Sequence, residues 1–305
     1  MERKVIVIVG PTCSGKTRLG SLLAEQVNGE IISADSRQVY KYLDIGTAKP
    51  EDYILKKVKH HFISQLTPDE DFNVSKFEKQ ALEVIEKIFS NGKQPIVVGG
   101  TGLYIKALID GIFDTADKDE EYRKQLLLLK NEFGNQYLYD KLLKIDPESA
   151  SKMQPSNWKR VIRALEVYNL TGEKIGVHQK RFERKINWNF IQFGLNWERK
   201  ILYNNIEKRV DEMMKAGLVN EVKNILKKGY NKNLNSLNTV GYKEIISYLG
   251  NEISLERAIE LIKRNTRRYA KRQMTWFNKD QRIRWYDVKK PDDLDNICKQ
   301  LTGQS

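Results

Sequence analysis

Near its start the chain reads Val5-Ile6-Val7-Ile8-Val9-Gly10-Pro11-Thr12-Cys13-Ser14-Gly15-Lys16-Thr17. Five β-branched residues in a row describe a strand buried on both faces, not one that alternates between core and water. The next eight residues fit G-x-x-x-x-G-K-[ST], and a helical pattern follows from Lys16 to about Gln26. This order suits phosphate chemistry. Glycines let backbone N–H groups converge on phosphate oxygens, and the helix N-terminus adds its positive dipole end. Lys16 supplies a point charge, and the Thr17 hydroxyl can hold Mg²⁺. The signature specifies an oligophosphate without specifying which one.

Outward from this loop, Glu30-Ile31-Ile32-Ser33 predicts a second strand ending at Asp35, and a helix is expected over about 74–90. Gln94-Pro95-Ile96-Val97-Val98 predicts a third strand running into Gly99-Gly100. Strands alternating with helices imply a parallel sheet with helical crossovers. Residues 117–180 show helical periodicity and little strand signal. Strand character returns at 190–195 and again at 283–286, with helices between. The expected fold is α/β: a parallel-sheet core like that of the P-loop NTPases, interrupted by an all-helical domain. Residues 1–114 and 186–305 form the core and 115–185 the insertion.

The chain has 305 residues and a net charge of +13. Residues 1–150 carry 21 basic and 23 acidic side chains, whereas 151–305 carry 32 and 17. Basic excess confined to one half points to a polyanionic partner, nucleic acid first, with a solvated lysine-rich surface as the plain alternative. Residues 263–286 hold nine Lys and Arg side chains interleaved with Tyr269, Trp276, Phe277, Trp285 and Tyr286. Arg264, Arg267, Arg268, Lys271 and Arg272 recur at helical steps and cover adjoining faces, as RNA phosphates require. Trp276 and Phe277 are expected in the core. Two cysteines, Cys13 and Cys298, make neither a disulfide framework nor a zinc cluster. Cys13, inside the loop, is a candidate reactive thiol. The N-terminus lacks a signal peptide, and no apolar run approaches the ~20 residues that span a bilayer. A cytoplasmic protein without membrane contact is expected.

The parts of an NTPase beyond the loop are hard to find. The natural candidate for a metal-binding strand ends in Gly99-Gly100-Thr101, without a carboxylate. Asp35 lies where the catalytic edge of an open α/β sheet belongs, yet a cap or turn role explains its position equally well.

The order of motifs is more specific. After the loop come Asp35-Ser36-Arg37-Gln38-Val39-Tyr40, Asp44-Ile45-Gly46-Thr47-Ala48-Lys49-Pro50, His60-His61 and Gly99-Gly100-Thr101-Gly102-Leu103-Tyr104. Then follow Arg163-Ala164-Leu165-Glu166-Val167-Tyr168, Val240-Gly241-Tyr242-Lys243-Glu244, and the run from Thr266 to Phe277. This series resembles the tRNA dimethylallyltransferases, also called tRNA isopentenyltransferases. The resemblance implies transfer of a dimethylallyl group from dimethylallyl diphosphate to N6 of the adenosine 3′ of the anticodon. Mg²⁺ would be the cofactor, the tRNA anticodon stem-loop the partner, and the enzyme a monomer.

It also implies roles. Asp35 matches the general base; Gly10 to Thr17 match the diphosphate loop, with Mg²⁺ on Thr17; Arg209 matches an arginine that reaches the same phosphates, although by itself it reads as an exposed helix residue. Asp35, Ser36, Arg37 and Gln38 match the base pocket, and Thr101 lies near the reacting base. Lys159-Arg160-Val161-Ile162-Arg163 and Thr239-Val240-Gly241-Tyr242-Lys243-Glu244 match segments that contact the tRNA. Two other readings use the same loop. A nucleoside or nucleotide kinase would need the missing carboxylate-tipped strand, and a GTPase-like RNA-binding module would need a guanine-reading N/T-K-x-D signature.

Overall fold

Val5, Val7 and Val9 point to one side of the first strand and Ile6 and Ile8 to the other, and all five are buried. That is why the run is continuously apolar. The computed structural model describes residues 3–112, 119–181 and 186–303. The elements, in order, are β1 (Lys4–Val9), α1 (Lys16–Gln26), β2 (Gly29–Ser33), α2 (Asp52–Lys57), β3 (His60–His61), α3 (Val74–Ser90), β4 (Gln94–Gly99) and α4 (Gly102–Asp110). Next come α5 (Glu120–Ile145), α6 (Pro147–Ser151), α7 (Trp158–Thr171) and α8 (Ile175–Arg181). The chain then returns to β5 (Asn189–Trp197), α9 (Arg199–Lys215), α10 (Leu218–Lys227), α11 (Tyr242–Leu249), α12 (Leu255–Phe277), β6 (Ile283–Val288) and α13 (Asp293–Thr302).

Among the described residues the strands form one six-stranded sheet, ordered β3-β2-β4-β1-β5-β6, and every pairing is parallel. The chain divides into two compact units, Met1–Ile109 with Ile186–Ser305, and Asp110–Lys185. The expected edges at 114/115 and 185 fall outside the described residues. The first unit holds the sheet. One face packs under α3, α4, α10, α11 and α12; the other packs under α1, α9 and α13. The second unit has its own core, built from Leu126, Leu138 and Leu142 of α5 against Val161, Ile162 and Leu165 of α7.

The loop between β1 and α1, the turn after β2 and the segment after β4 all leave the carboxyl edge of the sheet, where open α/β sheets bind ligands. α13 anchors α1 from outside: Arg18 Nη2 lies 2.8 Å from Asp295 Oδ2, and Leu294 covers Gly15. Gly15 has φ +87°, and a Cβ there would come within 2.6 Å of Leu294 Cδ1, so this position needs glycine for both backbone and space.

Candidate active site

The phosphate loop is fixed from below. Lys16 Nζ donates to Pro11 O at 2.6 Å, and Trp197 Nε1 at the end of β5 donates to Ser14 O at 3.0 Å. Gly10 and Pro11 are buried behind the loop, while Thr12 to Thr17 line a cavity of about 200 Å³. Burial pulls the Lys16 ammonium down from the usual lysine value to about 8; Cys13 opposes this, Arg209 adds to it and Asp35 opposes it. Arg209 projects from α9 with Nη1 3.5 Å from Cys13 Sγ, so a second cation stands over the loop. Its exposed-helix reading therefore does not hold; Arg209 is half-buried and lines the cavity.

Asp35 sits in the turn after β2. Its Oδ1 accepts the N–H groups of Arg37 at 2.8 Å and Gln38 at 3.3 Å, leaving Oδ2 without a partner among the described residues. Asp35 thus builds its own turn and still presents an acceptor oxygen. Ser36 N donates to Thr101 Oγ1 at 3.2 Å, tying this turn to the segment after β4. Tyr269 of α12 stands beside Thr101 and Asp35, and its phenol is pushed up to about 12, chiefly by burial and then by the Asp35 charge. Tyr269 belonged to the basic, RNA-facing run in the sequence. Its place beside Asp35 depends on α12 crossing the carboxyl edge, which no local pattern reveals.

Two cavities share a wall here. The first has the phosphate loop on one side and Ile31, Val98, Pro50 and His60 on the other. The second, about 320 Å³, is lined by Ser36, Arg37, Asn238, Thr239, Lys243, Thr266 and Arg272, among others. Thr12, Cys13, Asp35, Thr47, Ala48, Arg209 and Tyr269 border both. A carboxylate, the phosphate loop and Arg209 therefore stand between the phosphate-loop chamber and a second one lined by Arg37, Lys243 and Arg272.

Several motif residues are committed inside the protein. The Gln38 amide accepts from Ser33 Oγ at 3.1 Å and donates to Thr47 O and Ala48 O, each at 3.2 Å, which pins the 44–50 segment over the first cavity. Arg37 Nη1 donates to Asn235 O at 2.8 Å. Tyr242 is fully buried and donates to Glu221 Oε1 at 2.6 Å; Glu244 accepts from Gly241 N and from Asn265 Nδ2, both at 2.8 Å. Thr239, Val240, Gly241 and Lys243 line the second cavity. Glu221 also accepts the N–H groups of Asp44, Ile45 and Gly46 at 3.1, 2.7 and 3.1 Å. Hydrogen bonds to a charged group are each worth roughly 1.5–3 kcal/mol. Glu221→Ala should therefore lower the thermal midpoint by several degrees and release 44–46, read as faster amide exchange there. Tyr242→Phe should have the smaller effect of one lost bond.

In the second unit, Lys159 and Arg160 are exposed on α7, Val161 and Ile162 are core, and Arg163 Nη1 lies 2.8 Å from Glu166 Oε2. On α12, Arg267 pairs with Glu207 at 2.6 Å and Lys263 with Asp211 at 2.7 Å, while Arg272 faces the second cavity. Phe277 is core as expected, but Trp276, next to it on α12, is 44% exposed and sits where Gly102, at the start of α4, has no side chain. His61 Nε2 meets the buried Glu30 carboxylate at 2.8 Å, and His60 Nδ1 meets Val58 O at 2.8 Å on the other side of β3. Among the described residues, no group of three or more His, Cys, Asp or Glu side chains is placed to hold a metal. No helix among them is long and apolar enough to cross a membrane.

Comparison with known proteins gives consistent results. A family profile described as IPP transferase matches residues 38–280. The chain is 48% identical over 312 residues to a tRNA dimethylallyltransferase of Thermoanaerobacter sp. (strain X514), covering 100% of this chain and 99% of that protein. It is 50% identical over 299 residues to one of Acetivibrio thermocellus, covering 97% and 96%. Among solved structures, it is similar to a full-length tRNA isopentenylpyrophosphate transferase of Bacillus halodurans, with TM-score 0.73, 40% identity and coverage of 100% and 97%. It is also similar to a eukaryotic dimethylallyltransferase acting on tRNA, with TM-score 0.84, 31% identity and coverage of 98% of this chain and 77% of that one.

Proposed function

The chain belongs to the IPP transferase family, and from that premise we propose that it moves the dimethylallyl group of dimethylallyl diphosphate to N6 of the adenosine 3′ of the anticodon in certain tRNAs. The observation that carries this reading is the shared wall. Asp35 stands with Thr12 and Arg209 between the phosphate-loop cavity and the basic one, where a donor and an acceptor can meet.

The adenine N6 attacks C1 of the dimethylallyl group as the bond from C1 to the diphosphate oxygen breaks. The diphosphate leaves with that electron pair, and the N6 proton passes to Asp35 Oδ2. An aromatic amine is a weak nucleophile, so a positioned acceptor for its proton lowers the barrier. Negative charge grows on the leaving oxygen, and Lys16, Arg209 and the N-terminus of α1, which border the first cavity, are assigned to meet it. Thr17 offers a hard hydroxyl oxygen beside the phosphates, a donor that suits Mg²⁺ carried on diphosphate oxygens. Bound there, the ion would add charge neutralisation on the leaving group. The target base must leave its stack to reach Asp35, which an anticodon loop permits. Arg272, Lys243 and the exposed Lys159 and Arg160 are assigned to RNA phosphates. We place the reaction in the cytoplasm, with the enzyme acting as a monomer.

Diphosphate release that requires both dimethylallyl diphosphate and unmodified tRNA supports this function. Phosphoryl transfer from ATP or GTP, with no release from the allylic substrate, contradicts it.

The half-buried Lys16 gives the reaction a pH signature. Lys16 binds phosphate only when protonated, and in the free protein it loses its proton near pH 8. The ratio kcat/KM for the allylic diphosphate should therefore fall as pH rises through about 8, since this ratio reports the free enzyme. Bound diphosphate holds the proton, so the same limb in kcat should move to higher pH. Lys16→Arg, charged throughout, should remove it from kcat/KM. A limb unchanged in that variant would assign the titration to another group.

A further inference from the structure

We propose that Gln273 is a positioning residue of the diphosphate site: its side-chain amide ties the phosphate loop to the segment after β4 and thereby sets where Thr12 stands. β1 and β4 pair in parallel up to Val9 opposite Gly99, and there the ladder ends. Just beyond it, three residues past Val9 and one past Gly99, the buried amide of Gln273 takes the ladder's place. Its Oε1 accepts the Thr12 N–H at 2.8 Å, and its Nε2 donates to Gly100 O at 2.8 Å. These are the two bonds that an intervening peptide group would supply.

The neighbouring residues are shaped to this fit. A Cβ on Gly100 would lie 2.2 Å from Gln273 Nε2, so the side chain occupies the space that glycine leaves open. Only an amide carries an acceptor and a donor at this separation; a carboxylate lacks the donor, and a thioether lacks a strong form of either. Thr12, held in this way, lies on the wall common to both cavities. α12 thus grips the loop through Gln273 and reaches Thr101 through Tyr269 one turn earlier, while Arg272 faces the second cavity. Gln273 also borders the first cavity, but with both amide atoms committed to Thr12 N and Gly100 O it is expected to influence the allylic diphosphate through the loop, without taking part in the chemistry.

Because the first cavity is read as the diphosphate site, the test separates the two ideas. Inorganic diphosphate is titrated calorimetrically into the full-length protein and into Gln273→Met, which keeps the volume and loses both bonds. Transfer kinetics give KM separately for dimethylallyl diphosphate and for tRNA, and thermal unfolding is followed in parallel. The expected result for Gln273→Met is a weakening of diphosphate binding by roughly tenfold or more, with a matching rise in the KM for the allylic substrate. Its KM for tRNA should stay within about twofold. Gly100→Ala, which displaces the same amide, should reproduce the donor-selective defect, and the double variant should be no worse than either single one. The proposal is overturned if Gln273→Met binds diphosphate like the wild type. It is equally overturned if donor and tRNA affinities fall together with the thermal midpoint, the mark of a packing role. If the wild type itself binds no diphosphate, the reading of the cavity fails first.

Discussion

Asp35→Asn is expected to lower kcat by about 10²–10⁴-fold, the usual contribution of a positioned general base, while the KM for dimethylallyl diphosphate changes little. Asparagine is the informative substitution. The turn after β2 depends on Asp35 Oδ1 accepting from Arg37 N and Gln38 N, and an amide oxygen can take over both bonds. What is lost is the proposed capacity of Oδ2 to receive the N6 proton. Alanine would also remove the turn bonds and confuse the two effects. Pre-steady-state kinetics with saturating substrates would isolate the chemical step. An Asn variant that reacts at the wild-type rate would show that the N6 proton goes elsewhere, and water or the departing diphosphate would then be the acceptor to test.

Lys16→Met should have an effect of comparable size in a different parameter. Removing one preorganised partner of developing charge typically costs about 10²–10³-fold in rate. Here that loss should appear in kcat/KM for the allylic diphosphate, because in the proposed mechanism Lys16, which lines the first cavity, meets the phosphates both before and during bond breaking. Methionine preserves the stem that packs under the loop but cannot make the bond to Pro11 O. tRNA affinity, measured by filter binding, should be unchanged. A variant that loses tRNA affinity in parallel would mean that the loop is organised by the RNA and not by Lys16.

The phosphate loop and its flanking strand could be read from the residues alone because every step is local: a run buried on both faces, two glycines and a lysine at fixed spacing. The same holds for β2, α3 and β4, whose patterns match their burial. β3 could not be read in this way, since two histidines at a sheet edge have neither length nor apolar pattern. α13 lies in a stretch without motifs, and its role comes from Leu294 meeting Gly15 and from Asp295 meeting Arg18, contacts some 280 residues apart in sequence. The interior roles of Gln38, Tyr242 and Glu244 were also hidden. A motif marks residues that matter for a site without saying whether they touch the ligand or hold the loop that does. The Glu221 carboxylate gives no signal in its own segment, because all four of its donors come from elsewhere in the chain.

The central claim is that an allylic diphosphate and a tRNA adenine meet at Asp35. It is tested most directly by incubating the protein with unmodified tRNA bearing adenosine 3′ of the anticodon, dimethylallyl diphosphate and Mg²⁺, and then analysing the digested nucleosides by mass spectrometry. Wild type and Asp35→Asn are compared side by side. A dimethylallyl mass gain on that one adenosine, formed by the wild type and nearly absent with Asp35→Asn, is the predicted result. An unmodified adenosine in the wild-type reaction, or equal modification by both proteins, would contradict the account.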